Sequence, residues 1–285
     1  GGIPHYLSQF DRNLSQEQNV KRNILRKGCA LYNEVEFLLK QELRETAVYN
    51  TIVEAIALGC NSFSEILSKT QLEKSKLSVY LKNLIEISIV EKESPALASD
   101  KEKNSSTKGN YILTDNFFRF WYAFGFANFS QLEDGDVDGV CEYVVKPALH
   151  KFASFTFEDI CREFVREMQK KNELPFRYAK MGRWFGKTTV RDEKAASGLR
   201  TAETEIDILC IDRGAKEYLV GECKFKGVPF SYSEYCDTVA KLSPLKEKAK
   251  FHYALFSENG FDKKIIDHAS ENKTCLLYTS DAADE

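Results

Sequence analysis

Residues 205–224 gather acids and an ammonium into one short span. The run Glu205-Ile206-Asp207-Ile208-Leu209-Cys210-Ile211-Asp212 leads into a short turn and then Tyr218-Leu219-Val220-Gly221-Glu222-Cys223-Lys224-Phe225. Both runs are apolar, of strand length, and flank a glycine-containing turn, which predicts a β-hairpin. Side chains alternate along a strand, so Glu205 and Asp207 share one face, as do Glu222 and Lys224. With the turn centred on Gly214-Ala215, Asp207 falls directly opposite Glu222. Facing carboxylates repel unless a cation lies between them. The usual cation is a divalent metal, and Mg²⁺ takes such oxygen ligands. The same residue types also suit an ordinary solvated strand face, and an acid, a spacer and Glu-x-Lys recur by chance in charged chains.

An Asp, a spacer of strand–turn–strand length, and Glu-x-Lys together resemble the core of the PD-(D/E)XK nuclease superfamily. The resemblance implies that Asp207 and Glu222 hold Mg²⁺ and that Lys224 is the catalytic lysine. The chemistry suits those types: a metal lowers the pKa of its water and neutralises charge building on a phosphate, and an ammonium adds transition-state stabilisation. The proline of the family name is absent, and Ile206 precedes Asp207. Upstream, Phe157, Ile160, Cys161, Phe164, Val165 and Met168 recur at helical spacing and predict one buried stripe. Glu158 lies at its edge. In such nucleases a Glu from the first core helix often joins the metal site, so Glu158 and Glu205 are auxiliary candidates; a solvated Glu in a first helical turn is the alternative. Between helix and hairpin lie Arg183, Trp184 and Lys187 among glycines. They suit contact with a phosphate backbone and stacking on a base; a Trp that closes a core is the competing reading.

The chain has 285 residues, enough for two or three modules, and a net charge of −3, so it carries no global basic field. Nucleic-acid binding would need a local patch. The eight cysteines form no C-x-x-C pair and the four histidines are scattered, which disfavours zinc. Free thiols point to a reducing cytoplasm. No apolar run approaches membrane-span length and no signal peptide is visible. The chain opens on Gly1-Gly2 without Met, as a fragment would. Its end, Cys275 to Glu285, resembles a translated sequencing adapter and is expected to lie outside the fold.

The preceding elements must position this site and its substrate. Gly1-Gly2-Ile3-Pro4-His5-Tyr6-Leu7, a helical stretch Leu14–Leu25 with Ser15 as N-cap, and the segments Leu31–Leu39 and Glu42–Glu45 follow in that order. The ordered set resembles the lid after the nucleotide-binding core of archaeal-type AAA+/STAND ATPases. The resemblance implies an ATPase module in cis, N-terminal to this fragment, with Gly2 and Pro4 near its nucleotide. ATP would be a cofactor of that parent only, because no G-x-x-x-x-G-K-[ST] loop occurs here. Next, Val48, Ile52, Val53, Ile56 and Ala57 mark one helix; Ser62-x-x-Glu65 caps a second; Leu77, Leu81, Leu84 and Ile85 mark a third. Ile87–Val90 and Tyr111–Leu113 can pair as wing strands around a polar tip carrying Lys101, Lys103 and Lys108. Three helices plus a wing is the winged-helix arrangement, whose third helix enters the DNA major groove. Lys74, Ser75, Lys76, Ser78, Lys82 and Asn83 form its outward face; solvated lysines or a protein-binding face are the alternatives. The aromatic stretch Phe117 to Phe124 predicts a buried connector.

The sequence thus predicts an α+β multidomain chain, a helical winged-helix module followed by an α/β restriction-endonuclease-like domain. Its expected divisions are 1–45, 46–114, 115–140, 141–274 and the tail 275–285. The expected partner is DNA, the expected compartment cytoplasmic, and an oligomer is possible. Two activities fit: Mg²⁺-dependent DNA cleavage, or an inert nuclease-like fold serving as a DNA-binding or regulatory arm of the ATPase.

Overall fold

The computed structural model describes residues 3–103, 105, 108–191, 199–242, 249–272 and 275–279, the side chains of 100, 187–191 and 199–203 excepted. The chain is α+β and forms two compact units, 1–93 with 100–150, and 94–99 with 151–285.

The first unit is helical. Its opening helices are α1 (Pro4–Ser8), α2 (Gln16–Val20), which runs on as a π turn through Leu25, and α3 (Glu34–Glu42). Ser15 accepts from the Gln18 N–H and Gln18 bonds back, a capping box that satisfies two orphan donors at the start of α2. Helices α4 (Thr46–Ala57), α5 (Phe63–Thr70) and α6 (Lys74–Glu86) follow, then strand β1 (Val90–Glu93), helix α7 (Asp100–Lys103) and strand β2 (Asn110–Leu113). Ile52, Val53 and Ile56 of α4, Ile66 of α5, and Leu77, Leu81 and Leu84 of α6 are buried at helical spacing. Ser62 and Glu65 form the expected capping box on α5. β1 and β2 pair antiparallel with Val90 opposite Leu113.

The wing therefore begins later than the sequence predicts. Ser88 takes a left-handed φ of 59°, and the Ile89 N–H bonds to the Leu84 carbonyl, so the end of α6 consumes residues 87–89. Helices α8 (Asn116–Phe120), α9 (Phe129–Glu133) and α10 (Val137–Val140) complete the unit. The aromatic stretch is core: Phe117, Phe118, Phe120, Trp121, Tyr122 and Phe124 are all buried. The Tyr122 hydroxyl donates to Asn50 Oδ1, which meets the need of a buried phenol for a partner.

The second unit is a sheet covered on both faces. Helix α11 (Lys146–Lys171) leads into strands β3 (Lys180–Arg191), β4 (Leu199–Ile211) and β5 (Glu217–Lys224). Helix α12 (Tyr232–Lys241), strand β6 (Lys250–Ser257), helix α13 (Lys263–Glu271) and strand β7 (Cys275–Thr279) follow. Strand order is β3-β4-β5-β6-β7; the first two pairings are antiparallel and the last two parallel. Alternation along the strands splits the apolar residues into two cores. Leu209, Ile211, Val220 and Leu255 join Tyr235 of α12 and Ile265 of α13. Ile208, Cys210, Leu219 and Phe256 join Cys161 and Val165 of α11. A sheet buried on both faces explains why β4, β5 and β6 read as unbroken apolar runs.

Four further differences separate the structure from the sequence reading. The chain divides after His150, inside α11, rather than after 140, and residues 1–45, 46–93 and 115–140 share one unit. Ser94–Ser99, expected in the wing tip, belongs to the second unit, where the Ala96 N–H donates to the Arg183 carbonyl. Ile160 is 57% exposed, because the buried stripe of α11 is narrow and runs through Cys161, Val165 and Met168. Cys275–Thr279, expected to be foreign to the fold, forms the edge strand beside β6 with Cys275 buried. Among the described residues no helix is long and apolar enough to cross a membrane.

Candidate active site

The β4–β5 register follows the turn as the sequence predicts: Ile208 faces Gly221, Leu209 Val220, Cys210 Leu219 and Ile211 Tyr218. Gly221 permits this approach, since a Cβ there would lie 2.7 Å from the Cβ of Ile208. The ladder stops at that pair. One residue further, Asp207 turns its side chain to β5, and Oδ2 accepts the Cys223 N–H at 2.7 Å. Glu222 is 2% exposed. Its Oε1 accepts from Lys224 Nζ at 2.7 Å, and Lys241 Nζ bonds both Oε1 and Oε2 at 2.9 Å. From α11, Glu158 pairs with Arg183 of β3, whose Nε lies 3.1 Å from Glu205 Oε1. Arg162, one turn beyond Glu158 and buried, pairs with Asp159 and reaches the Asp207 carbonyl at 3.4 Å.

These carboxylates feel one another. Burial pushes the Glu158 carboxyl up to about 7; the charge of Asp207 adds to the rise, and Arg183 and Arg162 oppose it. Burial also lifts Asp207 to about 6, with Glu222 adding repulsion and the Cys223 N–H, Lys224 and Lys241 pulling down. Burial works against the charged form of Lys224, but attraction and hydrogen bonding to Glu222, with Asp207 behind it, win and raise its pKa. Two acids held above their normal range by burial, each with a neighbouring carboxylate adding to the rise, mark a place where positive charge is favoured.

That is the environment a hard cation would meet, and the donor set is all oxygen. Among the described residues no group of three His, Cys, Asp or Glu side chains forms a metal cluster. Mg²⁺ is commonly held by one or two carboxylates with water filling the rest of its shell, so the pair Asp207 and Glu222 fits it. The lysines on Glu222 compete for the same lone pairs.

The remaining predicted site residues fall as follows. Arg183 is engaged by Glu158 and Glu205, with 12% of its side chain exposed. Trp184 packs against the core formed by β4, β5 and the helices α12 and α13. The side chain of Lys187 lies outside the described residues, as does Gly2. Pro4 opens α1 and is exposed. On α6, Lys74, Ser75, Lys76 and Lys82 are exposed. Lys82 lies 3.6 Å from Glu86. Ser78 donates to the Lys74 carbonyl and Asn83 donates one N–H to the Tyr49 hydroxyl, so both bond within the helical unit. Sequence reasoning missed Arg162, Lys241 and the whole of α12. The missed signal was Ser231-x-x-Glu234, which forms a capping box at the start of α12.

A family model described as archaeal and bacterial proteins of unknown function, DUF234, matches residues 121–235, a span containing Glu158, Arg183, Asp207, Glu222 and Lys224. In particular, the chain is similar to an uncharacterized protein of Methanocaldococcus jannaschii, MJECL04, with 34% identity over 281 residues, 97% of this chain and 57% of that protein. A crystal structure of protein VC1899 from Vibrio cholerae aligns over 83% of this chain and 48% of its own, at 13% identity and a TM-score of 0.30. The chain thus spans about half the length of the proteins it matches.

Proposed function

We propose that the second unit is a PD-(D/E)XK-type phosphodiesterase acting on DNA with Mg²⁺, carried by a longer cytoplasmic protein that also holds an ATPase module. The observation that supports it most is the gathering of Asp207, Glu222 and Lys224 at the end of the β4–β5 ladder, with Lys224 Nζ 2.7 Å from Glu222 Oε1. Asp207 and Glu222 would hold Mg²⁺, which when bound neutralises charge on the phosphate and acidifies a water. Lys224, kept charged by Glu222 and Asp207, acts as an ammonium that offsets negative charge developing on the phosphate rather than as a base. Glu158, held at about 7, can take up or release a proton near neutral pH. Arg183 fixes Glu158 and Glu205. The exposed lysines of α6 in the first unit would bind the duplex backbone.

A second reading has its own observation. Both oxygens of Glu222 already carry ammonium bonds, as in a structural ion cluster, and this favours an inert nuclease-like fold that serves as a DNA-binding or regulatory arm. Nicking of supercoiled plasmid in Mg²⁺ or Mn²⁺ separates the two. Cleavage by wild type, slowed at least ~100-fold in Lys224→Ala, supports the enzyme. No cleavage by wild type supports the inert arm, and equal cleavage by the variant removes the catalytic claim made for this site.

A further inference from the structure

We infer that Lys241 is the resident counter-ion of Glu222, a positioning residue that a divalent metal must displace; this rests on reading Asp207 and Glu222 as metal ligands. Lys241 sits on the last turn of α12 and bonds both oxygens of Glu222 at 2.9 Å. Burying a carboxylate to 2% exposure is costly unless a cation pairs with it. Lys224 supplies one bond, to Oε1. Among the described residues Lys241 alone covers Oε2, and so occupies lone pairs that a metal at this acid needs. Its side chain is 27% exposed and hangs on a flexible four-carbon stem, so its ammonium can leave for solvent without moving the sheet. Lys226 offers an internal contrast. It clasps both oxygens of Glu234 at 2.7 Å in the same fashion, but makes no hydrogen bond or ion pair to Glu222. Lys241 therefore keeps the metal-free site folded and charge-balanced and sets the metal concentration at which it fills.

Calorimetric titration of Mn²⁺ into the full chain tests this. Lys241→Gln removes the competitor, so Mn²⁺ should bind about fivefold tighter than to wild type, roughly 1 kcal/mol, while Lys226→Gln should leave affinity unchanged. Equal or weaker binding in Lys241→Gln overturns the inference. Should that variant fail to fold, the wild-type protein labelled with ¹⁵N-lysine gives the answer: the Lys241 ammonium resonance should shift as Mg²⁺ is added, and a resonance unmoved at saturation overturns it. Tighter Mn²⁺ binding without plasmid cleavage upholds the role of Lys241 and removes the hydrolase reading. Absence of Mn²⁺ binding in both wild type and Lys241→Gln overturns both.

Discussion

Replacing Glu158 by Gln should make the second unit less sensitive to alkaline pH. The carboxyl rises from an ordinary 4.5 to about 7 in the fold, first because it is buried and then because Asp207 is beside it. The native state therefore holds a proton that the unfolded chain has released between those values. The stabilisation is complete below 4.5 and is lost as pH rises through 7. At about 1.4 kcal/mol per pH unit, the full difference is worth ~3 kcal/mol, and ~2 kcal/mol of it falls between pH 5 and pH 8. Gln cannot ionise, so its variant escapes this loss. The broken pair with Arg183 adds an offset that does not depend on Glu158 titrating, and for that reason the pH trend is the quantity to measure. Hydrogen exchange of the β5 amides, read in EDTA, reports the opening free energy of this unit. Wild type should lose ~2 kcal/mol relative to Glu158→Gln between pH 5 and pH 8. A gap that stays constant across this range would refute the claim that burial and Asp207 hold the acid protonated. Millimolar Mg²⁺ should flatten the wild-type trend, because a cation favours the ionised carboxylates.

Two further outcomes follow from the geometry. Gly221→Ala forces a Cβ to 2.7 Å from that of Ile208, and should lower the stability of the sheet by ~1–3 kcal/mol in urea melts; a neutral result would mean that β4 and β5 are not in this register. Replacing Lys74, Lys76 and Lys82 together with Gln should flatten the dependence of log K for duplex DNA on log salt by about 2 to 3, near 0.9 per lost phosphate contact; an unchanged slope would remove α6 as the docking face.

Local rules carried well where one face decides the structure. The β4–β5 register was legible because both runs are apolar and the turn is short, so only one pairing places Ile208 against Gly221. The N-cap at Ser15 and the capping box at Ser62 marked helix starts correctly, because each serine's partner lies three residues away. What escaped was tertiary. Glycines at 182 and 186 hid β3, whose pairing with β4 shifts between Gly182 and Trp184. Arg183 has the look of a phosphate contact in sequence but is held by Glu158 and Glu205, acids from two other elements. Lys241 lies nineteen positions from Glu222, beyond the reach of any strand or helix periodicity, and only the packing of α12 on the sheet brings it to that carboxylate. Ile160 shows the opposite limit: its spacing matched an apolar stripe, yet the stripe that α11 buries is narrow, through Cys161, Val165 and Met168, and leaves it exposed.

Anomalous scattering from crystals grown with Mn²⁺ would show whether Asp207 and Glu222 together bind a divalent metal, as proposed. The expected result is a peak bound by oxygens of both carboxylates, at roughly the 2.0–2.1 Å of a small divalent ion. Electron density showing Lys241 still clasping Glu222 at saturating Mn²⁺, with no peak beside Asp207, would contradict it.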